Sequence, residues 1–298
     1  MSAHSNDRLA VAKTYKLFIG GKFPRTESGR SLAVQHSDGS TFAHLCHGSR
    51  KDIRNAVEAA RRAFNGWAGA TAYLRGQILY RMAEMAEGKR AELASSLAAT
   101  GTVDETEATH EVHASIDRLV AWAGWTDKLE QVLGARNPVA GPYYNFTAPE
   151  PTGVVGVAAP DQPALLGLAS LVAPAIACGN SVVAVASETN PIPAMVLSEA
   201  IATSDLPGGV VNVITGPRAE LATPLADHRG VDAIDAAGID DDTRAALRAG
   251  AADNMKRVTV RELPEIDGQP DFTDPSCTAP WWAEPLLEMK TVWHPSAT

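Results

Sequence analysis

Residues 153–186 read GVVGVAAPDQPALLGLASLVAPAIACGNSVVAVA, and this stretch decides the fold. Two apolar runs at 153–159 and 181–186 have the length of strands, and the apolar segment between them, which ends at Ala177, has the length of a helix. A strand, a helix and a second strand in this order predict a parallel pair joined by a right-handed crossover. Because both strands are apolar throughout, helices should cover both faces of their sheet.

The same alternation continues to residue 262. Further strands are predicted at 210–214, 231–236 and 258–261, with helices at 194–203, 219–228 and 241–252. We therefore predict an α/β fold whose core, residues 153–262, is a doubly wound, Rossmann-like parallel sheet.

The flanks of this core have other patterns. Residues 1–135 are predicted to be mostly helical, with a small hairpin at 16–23 and helices at 49–68, 74–99 and 106–133. Residues 136–152 carry strand formers between prolines, which indicates a protruding ribbon or edge strand. Residues 263–285 form a proline-rich link that is predicted to run over the surface, and a terminal strand is expected within 286–298.

Composition narrows the classes of function. The formal net charge of −9 and the sequence pI near 5.4 argue against a nucleic-acid partner, which needs a basic surface. Three widely spaced cysteines, Cys46, Cys178 and Cys277, form neither a zinc motif nor a disulfide framework, and they indicate a reducing compartment. Residues 1–10 lack an apolar signal segment, and the longest apolar stretch, 164–179, is shorter than a membrane span. We expect a cytoplasmic protein that binds neither nucleic acid nor membrane.

Several segments, in order along the chain, carry a family resemblance. They are IGGK at 19–22, AGWTDK at 123–128, EPTGVVGV at 150–157, GNSVV at 179–183, LPGGVVNVITG at 206–216 and MKTVW at 289–293. With these segments the chain resembles the aldehyde dehydrogenase superfamily from Lys16 onward. The segments PDQPALL at 160–166 and SLVAPA at 170–175 are also similar to the atypical second half of the family-16 type of aldehyde dehydrogenase, which lacks the nucleophile.

This resemblance implies a truncated member of the family, in which the cofactor domain is kept and the thiol-bearing catalytic domain is replaced by the link at 263–285. It also implies that the ribbon at 136–152 and the terminal strand form the oligomerisation element. In the family this element adds to the catalytic-domain sheet of a neighbouring subunit, by main-chain hydrogen bonds. The expected partners are further copies of this chain, in a homo-oligomer, or a full-length aldehyde dehydrogenase, in a hetero-oligomer.

The chemistry of the family needs a reactive thiolate, an oxyanion donor and a general base. Cys277 lies in the irregular link and is interpreted as a cysteine without a catalytic role. Gln162 stands at the position of the family's oxyanion donor, beside Asp161, whose negative charge would oppose a developing oxyanion. Arg261 stands at the position of the base, and Glu262 comes one residue late, which on a strand turns a side chain to the opposite face. We therefore predict no catalytic residue.

The resemblance implies NAD or NADP as the cofactor, with Glu188, Gly216 and Gly238 as the residues that would hold it. Two features weaken that expectation. The lysine with which the family binds the ribose is replaced by Val185. Three aspartates, at 240–242, begin the helix whose N-terminus meets the pyrophosphate in the family, and there they would repel a phosphate.

Three functions stay open at this point. The first is a non-catalytic subunit, or pseudoenzyme, that assembles with a catalytic aldehyde dehydrogenase. The second is an NAD(P)-dependent oxidoreductase that acts on an aldehyde or oxo group and uses Cys277 or a thiol of its partner. The third is a nucleotide-binding module. A metal site at His110 and His113, three residues apart on a predicted helix, lacks a third ligand, and a solvated helix face explains the pair better.

Overall fold

The structure, a computed structural model, describes residues 11–296, so the signal-segment prediction for residues 1–10 lies outside the described part. The N-terminal part opens with a three-stranded sheet in the order β1-β3-β2, formed by β1 (Lys13–Tyr15), β2 (Ser31–Gln35) and β3 (Thr41–Cys46). The hairpin expected at 16–23 is present as one antiparallel bridge between Ile19 and Lys22.

The pairing of β2 with β3 departs from the sequence prediction, which placed only the hairpin and helices before residue 135. The two strands run antiparallel and are joined at Asp38 and Gly39, and Gly39 has a φ of +83°. An Asp-Gly pair between two short alternating runs is a hairpin signal. Every second residue of β2 is exposed, and the polar residues of this strand concealed that signal.

Five helices follow the small sheet. They are α1 (Arg50–Ala68), α2 (Ala72–Gly88), α3 (Arg90–Ala98), α4 (Glu105–Trp125) and α5 (Leu129–Leu133). Capping boxes at Ser49 and Asp104 begin α1 and α4, since each cap side chain accepts a hydrogen bond from the backbone three residues on. The helices predicted at 74–99 and 106–133 are each divided in two, at Lys89 and after Trp125.

Two strands of a ribbon, β4 (Ala135–Asn137) and β5 (Tyr143–Pro151), lead into the parallel sheet. Its strands are β6 (Val154–Ala158), β7 (Ser181–Val185), β8 (Val211–Ile214), β9 (Ala233–Ala237) and β10 (Arg257–Arg261), in the order β10-β9-β6-β7-β8. The connecting helices are α6 (Ala164–Ala177), α7 (Ile192–Ile201), α8 (Arg218–Asp227) and α9 (Asp241–Ala252). The predicted α/β fold with a doubly wound parallel sheet is confirmed.

Helix α6 is the most deeply buried element, because all 14 of its residues are buried. Its first turn presents backbone N–H groups that no helical carbonyl satisfies. The carboxylate of Glu111 on α4 accepts hydrogen bonds from Leu165 N at 2.7 Å and from Leu166 N at 3.1 Å. Burial raises the pKa of Glu111, and the two N–H groups oppose that shift. Among residues 11–296, no helix combines the length and the apolar character that a membrane crossing requires.

The link at 263–285 runs over the surface at 264–269, as predicted, but four of its later residues, at 272, 277, 282 and 283, are buried, so it is anchored and is not a loose linker. It contains a hairpin of β11 (Glu265–Ile266) and β12 (Gln269–Pro270), followed by three short 3-10 turns. Phe272 is 1% exposed and Trp282 is 7% exposed, and both belong to the main hydrophobic core. The prolines set the turns, whereas the large apolar side chains between them decide where the segment lies.

The last strand, β13 (Leu287–Pro295), pairs antiparallel with β5 along all nine of its residues. Together they form the three-stranded sheet β13-β5-β4, which we call the assembly sheet. The terminal strand expected from the sequence is therefore present, and it lies against the predicted ribbon of the same chain.

Candidate cofactor crevice

The loops after β6, β7, β8 and β9 meet at the carboxyl edge of the parallel sheet. Strand β6 has β7 on one side and β9 on the other, so the chain changes direction across the sheet at β6. In doubly wound sheets, ligands bind in the crevice outside such a switch point. The candidate residues Glu188, Gly216 and Gly238 all follow strands that end at this edge.

An ion pair between a buried arginine and a partly exposed aspartate lies across the crevice. Arg218, at the start of α8, has a side chain only 6% exposed, and its Nη2 lies 3.1 Å from Oδ1 of Asp161. The Nη1 group donates to Asp161 Oδ2 at 3.2 Å, and Nη2 also donates to the carbonyl oxygen of Ala159 at 2.9 Å. The guanidinium therefore ties the loop after β6 to the first turn of α8.

The carboxylate of Asp161 also organises the loop after β7. Its Oδ1 accepts hydrogen bonds from the backbone N–H groups of Glu188 at 2.7 Å and Thr189 at 3.3 Å. The hydroxyl of Ser187 donates to the carbonyl oxygen of Asp161 at 3.1 Å. One side chain thus serves as the internal anion for several backbone donors of the crevice.

Glu188 is exposed at the rim of the crevice, where its Oε2 accepts a hydrogen bond from Arg218 N at 2.8 Å. The carboxylate therefore satisfies a free N–H group at the N-terminus of α8. The prediction that Glu188 holds a cofactor ribose stays a prediction, because the side chain already has a partner within the chain.

The two candidate glycines lie in tight places. Gly216 has a φ of +148°, and a Cβ atom there would lie 3.2 Å from Gly48 N. Gly238 has a φ of +57°, and its Cβ atom would lie 2.7 Å from Cβ of Pro160 and 3.3 Å from Cγ of Pro270. Contacts with the protein itself, including one from the link, account for both glycines.

The N-terminus of α9 is capped from within. The Asp240 carboxylate accepts hydrogen bonds from Thr243 N at 2.7 Å and from Thr243 Oγ1 at 2.9 Å. These hydrogen bonds lower the pKa of Asp240, so the group is charged at neutral pH. With Asp241 and Asp242 in the first turn, the negative charge stands where a pyrophosphate would need free donors. The charge at this N-terminus therefore disfavours the pyrophosphate contact that the resemblance implied for α9.

The candidate catalytic groups are held apart by separate contacts. Cys277 is 0% exposed, and burial raises the pKa of its thiol although Arg118 lies beside it. The Gln162 amide donates to Thr102 Oγ1 at 3.3 Å. Among residues 11–296, no hydrogen bond joins Cys277 to Gln162. Glu262, at the end of β10, is exposed.

Arg261 stands at the position that the resemblance assigns to the general base, and it is locked in place. Its Nε and Nη2 groups donate to the two carboxylate oxygens of Asp235 at 2.7 and 2.8 Å. The ring of Trp282, from the link, lies 4.4 Å from the guanidinium carbon. A cation held in this way cannot accept a proton, so this position offers no base.

The remaining candidates are two exposed histidines and two buried cysteines. His110 and His113 are exposed on α4, and the described residues contain no group of three His, Cys, Asp or Glu side chains able to hold a metal ion. Cys178 is buried in the core, where desolvation raises its pKa to about 12. Cys46 is buried as well.

Sequence reasoning missed Arg218, Glu111 and the pairing of Asp235 with Arg261. For Arg218 a signal existed, because an arginine directly after Gly216-Pro217 at a strand-to-helix turn places a long cation at the carboxyl edge of the sheet. Its partner could not be identified, since the distance in space between two loops is not encoded in either loop alone.

Comparison with known proteins identifies the family to which the chain is similar. Residues 24–263 match the model of the aldehyde dehydrogenase family. Retinal dehydrogenase 2 of Mus musculus is 33% identical over 253 residues, which are 83% of this chain and 48% of the relative. Mitochondrial benzaldehyde dehydrogenase of Antirrhinum majus is 33% identical over 261 residues, which are 86% of this chain and 48% of the relative.

Solved structures agree with these relatives. An NAD+ complex of the aldehyde dehydrogenase from Bacillus cereus superimposes with a TM-score of 0.78 at 28% identity, covering 83% of this chain and 50% of that one. A putative aldehyde dehydrogenase from Burkholderia cenocepacia gives the same TM-score of 0.78 at 31% identity, covering 83% and 52%.

The chain spans about half the length of the curated relatives it matches, 48% for the two named above. The family match ends at residue 263, where β10 has finished and the packed link begins. With its parallel sheet, its crevice and this match over most of its length, the chain belongs to the aldehyde dehydrogenase family.

Proposed function

We propose that this protein is a non-catalytic subunit, or pseudoenzyme, which assembles with a catalytic aldehyde dehydrogenase through its assembly sheet. The observation that carries the proposal is the outer edge of β13. Within residues 11–296, this nine-residue strand pairs with β5 on one side and with no strand on the other. A long, exposed edge strand is a template for pairing with another chain.

The side chains of the assembly sheet support an interface. Met289 and Trp293 on β13 are 42% and 58% exposed, and Tyr143 and Tyr144 on β5 are 46% and 45% exposed. Aromatic residues and methionine are enriched where proteins bind one another. An open surface depression, lined by Arg257, Pro285, Leu287 and Met289 among others, adjoins the start of β13.

The state of the thiols supports the non-catalytic half of the proposal. A cysteine nucleophile needs access to its substrate and an environment that favours the thiolate. Cys277 has neither, because it is fully buried and its pKa is raised. The three cysteines are all free and buried, which suits the reducing, cytoplasmic setting that we propose.

Co-expression tests the proposal. This chain is produced together with a tagged full-length aldehyde dehydrogenase from the same genome, and the mass of the purified complex is measured by light scattering. We expect the two chains to purify together in a fixed ratio. Trp293→Ala should weaken the complex about tenfold, because an exposed aromatic anchor is lost. Trp281→Ala is the matched control, since Trp281 is 60% exposed but belongs to the link.

Two results would contradict the proposal. The first is failure of the chain to bind any full-length aldehyde dehydrogenase of that genome. The second is oxidation of an aldehyde with NAD by the isolated chain, provided that Cys277→Ala abolishes the turnover.

A further inference from the structure

We infer that the chain closes its own cofactor crevice: the Arg218–Asp161 ion pair and the packed link take the place of a dinucleotide, and the fold is complete without one. This inference concerns the carboxyl edge of the parallel sheet and does not depend on whether the assembly sheet binds a partner.

Three carboxylates of the chain accept hydrogen bonds from backbone N–H groups that line the crevice. Asp161 accepts from the loop after β7, Glu188 accepts from the first residue of α8, and Asp240 accepts from the first turn of α9. Free N–H groups at helix N-termini are what a helix offers to a phosphate. A dinucleotide would have to displace these internal anions, and its own negative charge would lie beside them.

Opening the Arg218–Asp161 ion pair would cost free energy. The Arg218 side chain is 6% exposed, so its charge depends on Asp161 and on the carbonyl oxygen of Ala159. Separating a buried arginine from its carboxylate leaves an uncompensated charge away from water, which is strongly unfavourable. The closure leaves one donor of this guanidinium, Nε, buried without a hydrogen-bond partner, whereas Nη1 and Nη2 both have acceptors within the chain.

The link contacts the loop after β9 through Pro270, and further contacts anchor it to the core beside the sheet. Pro270 packs beside Gly238 on the loop after β9. The carbonyl oxygen of Phe272 accepts a hydrogen bond from the buried Arg118 at 2.5 Å. Trp282 stacks on Arg261 and donates from Nε1 to the carbonyl oxygen of Ser170 at 2.9 Å. Because these contacts lie in the core, the link does not behave as a loose flap that a ligand could push aside.

The first experiment measures ligand binding by the full chain. Calorimetry with NAD+, NADP+ and ADP, each up to about 5 mM, should give no saturable heat, and the Tm should move by less than about 0.5 °C, since a ligand that binds only the folded state would raise it. A dissociation constant below about 1 mM for either dinucleotide, weakened by Glu188→Gln, would overturn the inference.

The second experiment removes the ion pair. Arg218→Ala should lower the Tm by about 5 °C or more, because Asp161 loses its cation and the crevice is left with a void. Arg229→Ala is the matched control: Arg229 is exposed, the same charge is removed, and the Tm should change by less than about 1 °C. Equal tolerance of both substitutions would overturn the inference, because the pair would then not hold the crevice together.

Discussion

The cofactor crevice and the assembly sheet differ in how far their side chains are exposed. At the crevice, Arg218 is 5% exposed and Trp282, which covers the neighbouring Arg261, is 7% exposed. On the assembly sheet, Trp293 is 58% exposed and Met289 is 42% exposed. The crevice therefore pairs its carboxylates with donors of the same chain, whereas the sheet leaves apolar surface and a strand edge in contact with water.

This contrast shows that a protein can keep the fold of an enzyme family although its surfaces are not all preserved equally. Folding depends on the core, and 83% of the chain superimposes on the Bacillus cereus aldehyde dehydrogenase with a TM-score of 0.78. A ligand site depends on polar groups that are left without partners in the folded chain, and here the carboxylates of Asp161, Glu188 and Asp240 have partners within the chain. The same fold can therefore keep its architecture while one of its surfaces closes.

The largest effect on the free energy of unfolding should distinguish the buried Trp282 from the exposed Trp293. Trp282→Ala should lower the free energy of unfolding by about 3–5 kcal/mol, because it leaves a large void and removes the ring that stacks on Arg261. Trp293→Ala should lower it by less than about 1 kcal/mol, since that ring is largely in water already. Urea unfolding followed by circular dichroism measures both. Equal costs for the two variants would remove the contrast between the regions.

A smaller effect on the free energy of unfolding should come from the close packing around Gly238. Gly238→Ala should cost about 1–3 kcal/mol beyond the strain of its positive φ, because the new Cβ meets Pro160 at 2.7 Å. Gly268→Ala is the control, since Gly268 has a φ of +75° with nothing within 4 Å of its Cβ position. The difference in unfolding free energy between the two variants isolates the contact. If Gly268→Ala is the more damaging change, the packing of Pro160 and Pro270 around Gly238 is not tight.

The smallest effect is a dependence on pH. Burial raises the folded-state pKa of Glu111 above its ordinary value of 4.5, so the folded chain binds the proton more tightly than the unfolded chain does. The stability that this group contributes is therefore present at low pH and is lost as the pH rises from 4.5 through the folded-state pKa. Glu111→Gln should gain stability relative to the wild-type protein between pH 4.5 and pH 7.

Urea unfolding at the two pH values measures this gain. Glu150→Gln is the control, because Glu150 is 51% exposed, pairs with the exposed Lys290, and such a pair contributes about 0–1 kcal/mol. A wild-type protein that becomes more stable relative to Glu111→Gln as the pH rises would contradict the assigned direction.

The parallel sheet could be predicted because its signal is local. Five apolar runs alternate with helical segments, and each predicted strand lies within about two residues of the observed one. The terminal strand was found in the same way. The pairing of β2 with β3 was missed because β2 alternates between exposed and partly buried positions, so its hydrophobic signal is weak.

The state of the crevice could be predicted only in part. Two features at this edge of the sheet are visible in the sequence: Val185 in place of the family's binding lysine, and the aspartates at 240–242. The pairing of Arg218 with Asp161, 57 residues apart, depends on how two loops meet in space. The burial of the link was concealed by its prolines, which indicate turns but do not report whether a turn is covered.

The pairing of β13 with β5 also determines when the protein can finish folding. Thr147 and Thr291 share a hydroxyl hydrogen bond of 2.9 Å although they are 144 residues apart in the sequence. During synthesis, β5 leaves the ribosome long before its partner strand exists, and contacts of such long range form late. Until β13 arrives, the side of β5 that it will cover is itself an open edge, so a newly made chain offers a different strand to its surroundings than the finished one does.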